Sequence, residues 1–121
     1  MNLKEVAFTV YAVRDAKKSR DFYTSTLGLK ETANWSDKWI EFDVGPGTFA
    51  ITDSFTQLTP GAKGAMVGLE VENLDSAILE LEKKGVKLTM PKYDIPVCCG
   101  CTISDPDGNE IMLHQRKSAT A

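Results

Sequence analysis

The chain has 121 residues, 42% of them hydrophobic and 26% charged, with a net charge of −3 and a pI near 5.1. That is one domain's length, and folding at this size buries about 65% of the unfolded surface, enough for a core. Lys and Arg are interspersed with Asp and Glu, so the basic stripe of a nucleic-acid binder is missing and no nucleic-acid partner is expected.

Met1-Asn2-Leu3-Lys4-Glu5 opens the chain without an apolar run long enough for a signal peptide or membrane span. A cytoplasmic protein with no membrane partner is expected, and free thiols suit that reducing compartment. A strand is predicted over Glu5–Val13. A helix follows, capped by Asp15, striped by Phe22, Tyr23 and Leu27, and stopped by Gly28. Alternation over Lys38–Val44 predicts a strand, Gly45-Pro46-Gly47 a turn, and Thr48–Thr52 another strand. Residues 54–64 are rich in Ser, Thr, Pro and Gly and read as a linker.

The same order then returns. Ala65–Val71 reads as a strand with Val67, Leu69 and Val71 on one face. Asn73 caps a helix carrying Leu74, Ala77, Ile78 and Leu81, which Gly85 ends. Cys98–Ser104, the turn Asp105-Pro106-Asp107-Gly108, and Asn109–His114 form a hairpin. Asp15 and Asn73 are 58 residues apart, and Gly28 and Gly85 are 57 apart. The spacing predicts a duplication: one domain over residues 1–121, with modules at about 4–53 and 65–115. A ferredoxin-like α+β sandwich is the competing arrangement.

Val13-Arg14-Asp15-Ala16-Lys17-Lys18-Ser19-Arg20-Asp21-Phe22-Tyr23, followed by Leu27-Gly28-Leu29, resembles the first module of the vicinal oxygen chelate superfamily. That superfamily holds glyoxalase I, the bleomycin-resistance proteins and the extradiol dioxygenases. Val71-Glu72-Asn73-Leu74-Asp75, Gly85-Val86 and Asp105-Pro106-Asp107-Gly108-Asn109 resemble it again in the second half. The resemblance implies an α+β fold of two tandem βαβββ modules, forming a cupped, partly open mixed sheet with helices outside. It also implies a homodimer. The motifs are cap, helix and turn chemistry, so they bear on fold more than on activity.

The resemblance further implies where metal ligands stand in metal-dependent relatives. One lies on the first strand of each module, seven residues before the cap, which falls on Phe8 and Met66. Another follows the Asp-Pro-Asp-Gly-Asn turn by three, at Met112, and a fourth falls near Ala50, Ile51 or Thr52. None of these is His or carboxylate, the donors a hard or borderline divalent ion needs. No metal and no cofactor is therefore expected.

Phe8, Met66 and Met112 are instead expected to make an apolar pocket floor. Strand parity adds Val10 beside Phe8, Glu70 beyond Met66, and Glu110 and His114 on either side of Met112. It also offers Trp39 and Glu41 to that face, with Ile40 and Phe42 toward the core. Trp39 beside carboxylates suits a cationic or planar aromatic guest. The competing reading is a collapsed cavity rimmed by solvated acids. His114, the one histidine, is a candidate general base, with Glu110 two positions away as its partner.

Cys98, Cys99 and Cys101 are too close together to form a disulfide framework. Strand alternation sends Cys99 and Cys101 toward the helices and leaves Cys98 facing the pocket, unless Gly100 marks a bulge. The expected function is metal-independent binding of a small organic molecule. The alternatives are a lyase, isomerase or dioxygenase with a rearranged metal site using Glu110 and His114, and soft-metal, metalloid or redox binding by the cysteines.

Overall fold

The computed structural model describes residues 1–117. The chain divides into two compact units, Met1–Ala62 and a second that begins at Lys63. In the first, β1 (Thr9–Ala12) leads into α1 (Ala16–Asp21), which continues as a π-helical turn over Phe22–Thr26. β2 (Lys30–Trp35), β3 (Trp39–Val44) and β4 (Gly47–Thr52) complete it. In the second, β5 (Val67–Glu70) and α2 (Leu74–Lys83) precede β6 (Met90–Ile95), β7 (Cys98–Ser104) and β8 (Glu110–Arg116).

Each unit is a four-stranded mixed sheet, ordered β1-β4-β3-β2 and β5-β8-β7-β6. The first strand of each unit pairs with the last in parallel, and the other pairs are antiparallel. The fold is α+β, two βαβββ modules in tandem. Among the described residues no helix is long and apolar enough to cross a membrane.

Local chemistry explains the repetition. Asp15 accepts the Lys18 N–H at 3.2 Å and Asn73 accepts the Ser76 N–H at 2.9 Å, so both helices start on a side-chain cap. The next orphan donor of each helix finds a partner from the parallel strand. Ala16 N–H donates to Asp53 Oδ2 at 2.8 Å, just past β4, and Leu74 N–H donates to Gln115 Oε1 of β8 at 2.7 Å. Gly28 and Gly85 follow the helices at φ +73° and +78°, a left-handed backbone that glycine adopts without strain.

The core of the first unit is aromatic. Tyr23, fully buried on the π-helical turn, lies 5.7 Å from the Phe42 ring and 5.2 Å from the Phe49 ring. In the second unit Leu74 and Leu81 of α2 are buried, as are Cys101, Ile103, Ile111 and Leu113 of the central strands. Burying each larger apolar side chain contributes about 1.5–3 kcal/mol.

Two strands have no counterpart in the residue pattern. β2 and β6 are edge strands, mostly exposed and polar, so no alternation marks them. Each carries a bulge, between Glu31 and Ala33 and between Met90 and Tyr93, and Pro91 sits inside the second. The first strands are shorter than Glu5–Val13 and Ala65–Val71. Pattern extends a strand, but only ladder partners sustain it, and β4 supplies them for Thr9–Ala12 alone.

Candidate functional site

Strand register shows which positions are equivalent in the two units. Val10 pairs with Ala50 and Gly68 with Met112, while Val13 N–H donates to Thr52 O and Val71 N–H to His114 O. Ala50 is therefore the counterpart of Met112, and Thr52 of His114. Of Ala50, Ile51 and Thr52, among which the resemblance puts a fourth ligand, Ala50 is thus the register counterpart of Met112, and it is fully buried. Thr52 spends its hydroxyl on Lys38 O at 2.8 Å. Phe8, Ala50, Met66 and Met112 offer two thioethers and no oxygen or imidazole, so they do not fit the divalent ion of metal-dependent relatives. Among the described residues no three His, Cys, Asp or Glu side chains gather as a cation site.

The helix-free face of the first sheet carries an aromatic pair, Phe8 and Trp39. Trp39 and Glu41 alternate with buried Ile40 and Phe42, so they lie on the face away from the core. Phe8 is 44% exposed and meets Trp39 edge to face, with ring centroids 5.2 Å apart at 89°. Trp39 Nε1–H donates to Glu41 Oε2 at 2.9 Å. Glu41 is thus no free carboxylate beside the ring; it holds the indole in one orientation. Val10 is half-buried on β1.

On the second sheet the expected pairing of Glu110 with His114 is replaced. His114 Nδ1 lies 2.6 Å from Glu70 Oε1, and Glu70 Oε2 accepts the Arg116 N–H at 2.6 Å. The reason is register: Glu70 pairs with His114 across β5 and β8, closer than two residues along one strand. The hydrogen bond from His114 leads the effects that hold the Glu70 carboxyl below its ordinary range. Glu110 instead accepts from Thr89 at 2.8 Å, Ser104 at 3.3 Å and Lys63 at 3.3 Å. The Thr89 bond, then Lys63, lowers its carboxyl too. Met66 is exposed just before β5, and Met112 is half-buried on β8.

Tyr93 of β6 is the residue that sequence reasoning missed. Its ring lies over Gly100, where an added Cβ would stand 2.6 Å from Tyr93 Cε2. Its hydroxyl is 3.7 Å from Cys98 Sγ and 3.8 Å from Met112 Sδ. The contact with Cys98, then burial, pushes the phenol above its ordinary range. The signal was Gly100 itself: a glycine inside a strand marks either a bulge or a close approach. β7 pairs with β8 in unbroken register, so Gly100 marks the approach.

The three cysteines are free and buried. Cys98 faces Tyr93, whereas Cys99 Sγ lies 3.9 Å from Gln115 Oε1 and Cys101 is fully enclosed. Burial, then Cys99, pushes the Cys101 thiol up. Two hollows in the surface lie away from these side chains: one of about 170 Å³ is lined by Phe55, Leu58 and Pro60, and one of about 580 Å³ by Glu72, Asn73 and Ser76. Neither includes a predicted pocket residue; the chemistry-bearing side chains stand on the sheet faces.

Residues 5–113 match the family described as the Glyoxalase/Bleomycin resistance protein/Dioxygenase superfamily. The chain belongs to this superfamily. Among solved structures, the chain is similar to TnmS3, an antibiotic binding protein from Streptomyces sp. CB03234, 25% identical with a TM-score of 0.84, covering 97% of this chain and 99% of its own. A glyoxalase/bleomycin resistance protein from the same strain is 26% identical with a TM-score of 0.79, covering 92% and 100%. A lactoylglutathione lyase from Agrobacterium tumefaciens is 16% identical with a TM-score of 0.75, covering 95% and 96%, a likeness of fold alone. No curated protein matches the chain. One fold shared by a binding protein and a lyase leaves activity to the side chains.

Proposed function

We propose that this superfamily member binds a small, largely aromatic organic molecule without a metal ion, on the helix-free faces of its sheets. The observation that carries this reading is the replacement of donors by apolar side chains. Phe8, Ala50, Met66 and Met112 stand where the superfamily resemblance puts ligands or their internal counterparts. The Phe8–Trp39 pair, with its indole fixed by Glu41, offers a preorganised stacking surface with negative charge beside it. The likeness to an antibiotic-binding protein over nearly the whole chain supports the same reading. A homodimer and a cytoplasmic location are part of the proposal, the first on the superfamily resemblance and the second on the free thiols.

The test combines metal analysis of the purified protein with titration of daunorubicin, a planar aromatic cation, in the presence of chelator. Binding that survives chelation, and that Trp39→Ala weakens at least about tenfold, is expected. One tightly held Fe, Ni, Mn or Zn per chain overturns the reading.

A further inference from the structure

Glu70 and His114 form a close carboxylate–imidazole pair, and nothing in the proposed binding reading uses it. An ionised carboxylate only accepts hydrogen bonds, so the 2.6 Å contact requires the proton on Nδ1. In its neutral form a ring so oriented presents the Nε2 lone pair, which has no hydrogen-bond partner among the described residues. The carboxylate is held as well: its second oxygen accepts the Arg116 N–H, so both oxygens are engaged and the pair is oriented from two strands. Both side chains remain open to solvent, 26% and 41% exposed.

Across the sheet on β7, His114 pairs with Gly100, which has no side chain and is covered by the Tyr93 ring of β6. The neighbouring titratable groups are Cys98 on β7, Tyr93 on β6, Glu70 on β5, and Glu110 and Arg116 along β8. Tyr93 is neutral near pH 7, its phenol being held above the ordinary range, and Glu110 is occupied by Thr89, Ser104 and Lys63. Of these groups, Glu70 is the one hydrogen-bonded to the imidazole.

We propose that His114, positioned by Glu70, takes a proton from a weakly acidic hydroxyl, a phenol or enol, of a molecule bound on the helix-free face of the second unit. This rests on the binding reading above and adds the chemistry of the ligand. In the step the ligand O–H bond breaks and its electron pair stays on oxygen. The Nε2 lone pair forms the new N–H bond, leaving a phenolate beside an imidazolium. Glu70 keeps its own charge throughout and stabilises the imidazolium through Nδ1–H. Glu70 is a positioning residue; His114 is the base.

The probe is p-nitrophenol, whose ionised form absorbs in the visible, added to the full chain in metal-free buffer. Phenolate absorption is followed between about pH 5 and 8, with calorimetry reporting binding separately. The bound probe is expected to ionise about one pH unit below the free probe, roughly tenfold more phenolate at a given pH. His114→Gln removes that shift while binding persists, and Glu70→Gln moves the ionisation midpoint back toward the free value. Binding without extra phenolate, or an equal shift in His114→Gln, overturns the base and leaves the binding reading standing. An unchanged profile in Glu70→Gln overturns the positioning role. If His114→Gln does not fold, nitrogen NMR of the wild-type chain decides, because it has one histidine. Nε2 moving from a lone-pair to an N–H signal on saturation supports the proposal; an unmoved signal overturns it. Failure of p-nitrophenol to bind overturns the base as well, and the daunorubicin titration then judges the binding reading on its own.

Discussion

Gly100 shows how much one missing methyl group organises. A Cβ there would stand 2.6 Å from the Tyr93 ring, and that ring is the end of a movable side chain rather than fixed backbone. Gly100→Ala is therefore expected to swing Tyr93 off the sheet more than to unfold it, at a cost of about 1–3 kcal/mol. Cys98, whose Sγ lies beside the Tyr93 hydroxyl, then opens to solvent. Native-state labelling with a thiol reagent, read by peptide mass, should find Cys98 reactive in the variant and protected in the wild type, with Cys101 protected in both. Glu70 makes a second prediction. Its carboxyl lies below the ordinary 4.5 chiefly because His114 donates to it, so its stabilising effect is present above that pH and fades as pH falls through the lower folded value. The stability advantage of wild type over Glu70→Gln, measured by denaturant unfolding, should be full near pH 6 and shrink on acidification from about 4.5. Solvent exposure of the pair keeps this effect small.

At the scale of elements, the β7–β8 turn is held by one carboxylate. Asp105 is 4% exposed; its Oδ1 accepts the N–H groups of Asp107 and Asn109, both at 2.9 Å, and Oδ2 accepts Asn109 Nδ2–H at 2.9 Å. Asp105→Ala strands those donors in a buried turn and should destabilise the protein by about 1–3 kcal/mol, read as a lower denaturation midpoint. Asn73→Ala removes only the exposed cap of α2, worth about 1 kcal/mol, because Gln115 still satisfies Leu74 N–H. Both features were legible in the residues: a capping acid or amide before a helical stripe, and an Asp-Pro-Asp-Gly-Asn run between strands. The edge strands were not. β2 and β6 owe their conformation to β3 and β7, which supply their ladder partners, and no local pattern in Lys30–Trp35 or Met90–Ile95 announces that.

For the whole molecule, the proposed homodimer is testable without a ligand. Light scattering after size exclusion is expected to give twice the chain mass of 13.3 kDa across a micromolar concentration range, and a monomer throughout would contradict it. The duplication matters more than the count of subunits. Two modules with the same ladder let register in one unit identify a position in the other, which is how Ala50 emerged as the counterpart of Met112. The two copies have diverged in what the equivalent positions carry. Thr52 spends its hydroxyl on a backbone carbonyl, whereas His114 takes a carboxylate partner from the neighbouring strand.

The amino-acid sequence alone determined the tandem modules, the helix starts and stops, and the hairpin turns. These depend on residues within a few places of one another, where capping, alternation and turn preference act. Only the tertiary structure decided who meets whom. Glu70 and His114 are 44 residues apart, and strand register, not proximity in the chain, made Glu70 rather than Glu110 the partner. Tyr93 found Gly100 and Cys98 because a bulged edge strand folds its ring back over the sheet, a contact set by pairing between strands and invisible to any pattern within one.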